Sequence, residues 1–219
     1  MNNLREFNNY ILDKYNGILN SDDLSSPLLI SSDEVYNNSL KRRIMYVGQE
    51  TNGWFNYGML NKEVTAYNLE ETYFNFLKNG ASNSVFWRYI KQILEISDGQ
   101  LINNVIWSNT FIAGKRNGIG TPDITRELFD ISLEYLLYIR EYFKPNHIIL
   151  VNGPNNPYYE LNKKFLKKIK STLIDIYPTL SNPLVIDEEN NILWTYHPGF
   201  QNRMRINKEI MVKIKNKII

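Results

Sequence analysis

The sequence predicts an α/β domain built on a mostly parallel central sheet with helices on both faces. Three observations carry that expectation. Short apolar runs at residues 43–48, 105–107 and 147–151 read as strands too apolar to leave a face in water. Segments with helical spacing of apolar residues separate them, which is the alternation that builds parallel sheets. Several strands also end in polar, Gly-bearing or Pro-bearing segments, where such sheets place their ligands.

Taken in order, Leu4, Phe7, Ile11, Tyr15 and Ile18 fall at helical spacing and predict an N-terminal helix over 4–19. Residues 21–27 carry turn chemistry. The run Arg43-Ile44-Met45-Tyr46-Val47-Gly48 predicts a buried strand that exits at glycine. Residues 49–68 are polar and aromatic and predict a long functional loop. Helices are expected over 69–78 and 84–96, the second with Phe86, Tyr89, Ile90 and Ile93 on one face. Val105-Ile106-Trp107 predicts a second strand running into Ser108-Asn109-Thr110. Thr121-Pro122-Asp123 resembles a capped helix start, so a long helix is expected from there to about residue 143, where Pro145 stops it. A third strand is expected over 147–151, then a helix over 157–177 and short strands over 184–186 and 192–195. The last strand runs into Tyr196-His197-Pro198-Gly199-Phe200, and a basic helix is expected from about residue 202.

No repeat or composition break divides the chain, so one domain is expected over 1–219. It comprises a helical lead-in (1–40), a core bearing the motifs (41–200) and a C-terminal basic helix (201–219). With 219 residues the chain can bury a sizeable core. A formal net charge of +2 argues against a histone-like binder but leaves room for a local basic face. The sequence has no Cys, which removes disulfides, thiol nucleophiles and thiolate metal sites. Its two His residues, His147 and His197, are too few for a His-built metal centre, so no metal or other cofactor is expected. The polar start resembles no secretion signal and no apolar run could span a bilayer, so the expectation is a cytoplasmic protein without a membrane partner, acting as a monomer.

Three strand-end segments should meet at one sheet edge: Gly48-Gln49-Glu50-Thr51-Asn52-Gly53-Trp54, Ser108-Asn109-Thr110 and His197-Pro198-Gly199. Glu50, Asn109 and His197 together offer a carboxylate, an amide and a hydrogen-bond donor. That is a minimal set for breaking an N-glycosidic bond. The carboxylate faces a cation-like sugar, the amide reads the base, and the donor meets the oxyanion that develops on the leaving base. Each alone has a plain alternative: a solvated loop carboxylate, a strand-end turn residue and a surface turn residue. Lys163, Lys164, Lys167, Lys168 and Lys170, and Lys208, Lys213, Lys215 and Lys217, form basic stripes that ordinarily mark solvated helix faces.

The order and setting of these motifs, from about residue 43 to 200, resemble the uracil-DNA glycosylase superfamily. The family's Gly-Gln-Asp-Pro-Tyr motif is matched by Gly48-Gln49-Glu50-Thr51-Asn52, its strand-end Asn by Asn109, and its His-Pro-Ser motif with an apolar wedge by His197-Pro198-Gly199-Phe200. The resemblance implies a monofunctional DNA glycosylase. Glu50 would position water and face the sugar, and Gln49 would lie near the base. Asn109 would bind the flipped base, and a neutral His197 would donate to the base oxygen. Phe200 would wedge into the duplex with help from Gln201 or Arg203; Lys115, beyond Asn109, is a DNA contact if it flanks the motif edge and otherwise a solvated cation. Trp54 or Phe55 would stack on the base. Glu for Asp, Gly199 for Ser and Asn52 for the family's Tyr are departures. Asn52 would open the C5 side of the pocket. The implied substrate is therefore uracil or a C5-modified pyrimidine, the latter in phage DNA as an antiviral defence. The competing readings are a catalytically silent module that binds DNA or a modified base, and a hydrolase of small nucleosides or nucleotides.

Overall fold

Hydrogen-bond register decides the architecture. In the computed structural model, which describes residues 3–18, 23–51, 54, 64–117 and 120–219, the strands are β1 (Ile44–Gly48), β2 (Val105–Asn109), β3 (His147–Leu150), β4 (Leu184–Asp187) and β5 (Ile192–Thr195). They form one five-stranded sheet in the order β2-β1-β3-β5-β4. β2, β1, β3 and β5 run parallel, and β4 pairs antiparallel with β5 at the edge. β1, β2 and β5 are buried along their whole lengths, as strands covered on both faces must be.

The helices are α1 (Leu4–Asn16), α2 (Glu34–Ser39), α3 (Ala66–Lys78), α4 (Val85–Leu94), α5 (Arg126–Phe143), α6 (Tyr158–Lys168), α7 (Pro198–Arg203) and α8 (Asn207–Ile218). α5 packs on α1 and α6, whereas α4, α7 and α8 pack on one another, so helices flank the sheet. No helix among the described residues is long and apolar enough to cross a membrane.

The largest departures from the expected helix boundaries are three, each with a local reason. The long helix opens at Arg126 rather than near Thr121, because Thr125 is the cap and its hydroxyl accepts the Leu128 N–H at 3.2 Å. Thr121 precedes proline, which disfavours helical backbone, and its hydroxyl is bound to the Tyr158 phenol at 2.5 Å. α6 stops at Lys168, well short of residue 177, because Lys170 turns left-handed at φ 57°. The C-terminal helix is two helices: α7 starts directly at Pro198, and Arg205 at φ 59° breaks the chain before α8.

The α1 side is fastened by one buried carboxylate. Glu70 of α3 accepts from Arg5 Nε at 2.9 Å, Asn8 Nδ2 at 2.8 Å and the Ser32 N–H at 3.1 Å, and also from the Ser32 hydroxyl. Asn8 in turn donates to the Ile30 carbonyl at 2.9 Å. This network joins α1, α3 and the 28–33 segment.

Candidate active site at the carboxyl edge of the sheet

Parallel pairing brings the strand ends together. Gly48 at the end of β1 lies opposite Asn109 at the end of β2, and the Thr110 N–H and hydroxyl both bond the Gly48 carbonyl, at 3.0 and 2.9 Å. On the other side of β1, the Val151 N–H reaches the Val47 carbonyl at 2.9 Å, and the Gly153 N–H reaches Thr195 at the end of β5 at 3.1 Å. Gln49 donates to the Asn152 carbonyl at 3.1 Å. The segments after β1, β2, β3 and β5 therefore share one edge.

Asn152 is the buried knot beneath them. Its amide donates to Thr110 Oγ1 at 2.5 Å and to Asn162 Oδ1 at 3.0 Å, and it accepts from Asn162 Nδ2 at 2.9 Å and Trp194 Nε1 at 3.0 Å. A fully bonded network of this kind rigidifies the floor on which the site stands.

Above it, four groups meet. A Cβ added at Gly48 would fall 2.5 Å from Asn109 Oδ1 and 2.9 Å from the Phe86 ring. Glycine is therefore required there for close approach, not for backbone freedom. The Phe86 ring lies nearly parallel to the His197 imidazole, with 6.1 Å between centroids. Gly48, Phe86, Asn109 and His197 thus form one cluster contributed by β1, α4, β2 and the start of α7.

Asn109 is buried, and Trp107 Nε1 donates to its Oδ1 at 3.3 Å, which fixes which end of the amide is oxygen. Its Nδ2 has no hydrogen-bond partner among the described residues. Leaving such a donor unpaired in a protein interior costs roughly 1–3 kcal/mol, so an incoming acceptor would recover that energy.

His197 caps α7, and its Nδ1 accepts the Gly199 N–H at 3.1 Å. Burial, reinforced by the neighbouring positive charge of Arg203, lowers its pKa to about 4. The ring is then neutral at pH 7. With Nδ1 accepting, the proton resides on Nε2, which is free to donate. Gly199 is also where the chain needs a small residue, since a Cβ there would come within 3.2 Å of Nδ1.

Glu50 faces a different neighbour. The Tyr158 phenol at the start of α6 donates to its Oε2, and Thr121 bonds the same phenol. Oε1 has no hydrogen-bond partner among the described residues. Burial raises the Glu50 pKa, while Tyr158 and the charge of Lys115 pull it back down. The Tyr158 pKa is raised, chiefly by burial and then by Glu50, so the phenol stays a donor. Next to Glu50, Thr51 is buried, and a Cβ on Gly114 would fall 2.0 Å from its carbonyl oxygen; this pins the loop against the segment after β2.

The remaining expected residues are placed as follows. Trp54 is buried edge-on against Trp107 and Phe76, within the aromatic core. Phe200 is half-buried and stacks on Tyr196 at 4.6 Å, with the Arg203 guanidinium 5.9 Å from its ring. Gln201 has no exposed surface to offer a duplex; its amide donates to the Tyr196 carbonyl at 2.6 Å. Lys115 is exposed and lines a cleft of about 370 Å³ with Asp23, Leu24, Asn117, Pro122, Asp123 and Thr125. Asn52 and Phe55 lie outside the described residues. Sequence pattern gives no site role to Phe86, Tyr158 or Thr121, and reads Thr121 as a helix cap. Phe86 reads there as part of an apolar helix face, and no sequence spacing links Tyr158 to Glu50. Among the described residues no group of three His, Asp or Glu side chains could hold a metal ion.

Neither a protein-family model nor a curated protein matches this chain.

Proposed function

We propose that this chain is a DNA glycosylase of the uracil-DNA glycosylase type, which hydrolyses the N-glycosidic bond of a flipped pyrimidine and leaves an abasic site. The observation that carries the reading is the buried Asn109 Nδ2, without a hydrogen-bond partner among the described residues, in one cluster with a neutral His197 and the flat Phe86 ring. An amide donor, an imidazole donor and an aromatic face are what a planar heterocycle with carbonyl oxygens needs.

In this reading Phe86 stacks on the base and Asn109 Nδ2 donates to a carbonyl at its edge. His197 Nε2–H stabilises the oxyanion that develops as the base departs. The Glu50 carboxylate faces the sugar as it gains positive charge and holds the attacking water through Oε1. Tyr158 orients the carboxylate. Phe200, with Arg203, meets the duplex at the turn after β5. The substrate is DNA carrying uracil or a C5-modified pyrimidine, and the protein acts as a cytoplasmic monomer. C5-modified bases of phage DNA would make the activity a defence.

The test is base release from DNA containing uracil, a thymine mispair, 5-hydroxymethylcytosine or its glycosylated form, with Glu50→Gln as control. Release that the variant loses supports the reading. DNA binding by both proteins with no release from any substrate would replace it with a silent base-binding module. Cleavage of free nucleosides without cleavage of DNA would replace it with a small-nucleoside hydrolase.

A further inference from the structure

A second aromatic feature lies on the same edge of the sheet, outside the cluster around Asn109. The loop after β3, the start of α6 and the segment after α6 border an open surface cleft of about 370 Å³ lined by Pro154, Asn155, Asn156, Tyr159 and Tyr177. That volume lies within the range of small-molecule sites, about 300–1,000 Å³. The rings of Tyr159 and Tyr177 stand nearly perpendicular with centroids 5.4 Å apart, so a flat ligand can lie on one face and meet the other ring edge-on. Tyr159 is backed by Trp194 at 6.2 Å, nearly parallel, which holds it in place. Tyr177 is 45% exposed, so much of its ring is open to a ligand.

Two further observations say what fits. The aromatic surface continues to the turn that bears His197: Tyr196 donates to the Pro178 carbonyl at 3.3 Å, next to Tyr177, and stacks on Phe200 at 4.6 Å. Tyr159, Lys163 and Lys167 also follow at intervals of four along α6, which places two cations on the same stripe as the aromatic. Lys163 lies 5.9 Å from the Tyr159 ring and is paired with Asp175, while Lys167 is exposed with no ion-pair partner among the described residues.

We infer that the Tyr159–Tyr177 cleft binds an unstacked nucleobase of a DNA strand, next to the nucleotide held at the Asn109 site. The rings supply stacking, the Asn155 and Asn156 amides supply hydrogen bonds to the base edge, and Lys167 supplies a phosphate contact. Aromatic rings with adjacent cations are the chemistry of single-strand binding. The inference rests on the reading of the chain as a DNA-binding protein and adds a strand preference to it: single-stranded or locally opened DNA binds better than closed duplex.

The experiment is fluorescence anisotropy with a labelled short oligothymidylate, comparing wild type, Tyr177→Ala and Tyr177→Trp. Tyr177 is exposed, so truncation leaves the core intact. The alanine variant should bind about ten-fold more weakly, the scale of one lost base stack, and the tryptophan variant should bind like wild type. Equal affinity of wild type and the alanine variant overturns the inference, as does absence of oligothymidylate binding. Thymidine monophosphate competing as well as the strand overturns it too, by assigning the cleft to free nucleotides. Base release measured on the same proteins separates the two proposals. Tyr177-dependent strand binding without base release leaves this inference standing and removes the glycosylase. Base release with Tyr177-independent binding does the reverse.

Discussion

Glu50 and Glu70 are both withdrawn from solvent in the same fold, yet their surroundings differ in kind. Glu70 is met by a guanidinium, an amide, a hydroxyl and a backbone N–H. Each of its oxygens is occupied, and the carboxylate ties three segments together. Among the described residues Glu50 has one phenol for a direct partner and one oxygen without a partner, and burial raises its pKa. A saturated buried carboxylate is a fastening. An under-satisfied one is held at a cost in stability, and that cost is a common signature of a group kept for chemistry.

The comparison is broken most severely by emptying the fastening. Glu70→Ala removes the acceptor shared by Arg5, Asn8 and Ser32 and should destabilise the fold by about 1–3 kcal/mol, read as a fall in the denaturation midpoint. If that variant keeps wild-type stability, Glu70 is not a fastening. On the other side of the comparison, Glu50→Gln should lower base release by about 10²–10⁴-fold with the fold intact. His197→Ala should cost about 10²–10³-fold in single-turnover rate, the usual loss for one oxyanion donor. Tyr158→Phe should cost less, about ten-fold, because it removes one hydrogen bond that orients Glu50 and touches no reacting atom. A loss in Tyr158→Phe as large as in Glu50→Gln would give the phenol a direct part in the reaction.

pH sharpens the same contrast. The reaction as proposed needs Glu50 ionised and His197 neutral, and both conditions fail on the acid side. Activity should therefore be level through neutrality and fall in acid, with the limb set first by Glu50, whose pKa is raised. An activity peak in acid would contradict these roles. For stability, the His197 pKa is lowered from 6.5 to about 4, so the unfolded chain takes the proton first. The contribution of His197 is present above pH 6.5 and is lost as pH falls toward about 4, on the order of 3 kcal/mol. Glu50 acts in the opposite sense, because its folded pKa is raised. The His197 part is therefore isolated as the difference between wild type and His197→Ala across that window.

The contrast between Glu50 and Glu70 also marks where the sequence stops being informative. Apolar runs identified β1, β2, β3 and β5, because strands buried on both faces carry a strong local signal. The polar segments that follow β1, β2 and β5 identified the sheet edge that holds Glu50, Asn109 and His197. Local pattern could not tell which of two glutamates is saturated, since the partners of Glu70 lie 38 to 65 residues away in the chain. The same limit applies to Tyr158, 108 residues from Glu50, and to Phe86, whose place on an apolar helix face hides its position over Gly48. Trp54 and Gln201 stand next to motif residues in sequence but are buried, Trp54 against Trp107 and Gln201 with its amide turned from α7 back to the Tyr196 carbonyl. The cap at Thr125 was displaced by four residues because Thr121 is committed to Tyr158.

The most direct test of the account is to measure base release and thermal stability together on Glu50→Gln. The account predicts that release from the preferred DNA falls by at least about a hundred-fold while the melting temperature holds or rises, since a neutral amide replaces a buried charge. Release that survives the substitution, or release and stability that fall together as expected for Glu70→Ala, would contradict it and make Glu50 a second fastening.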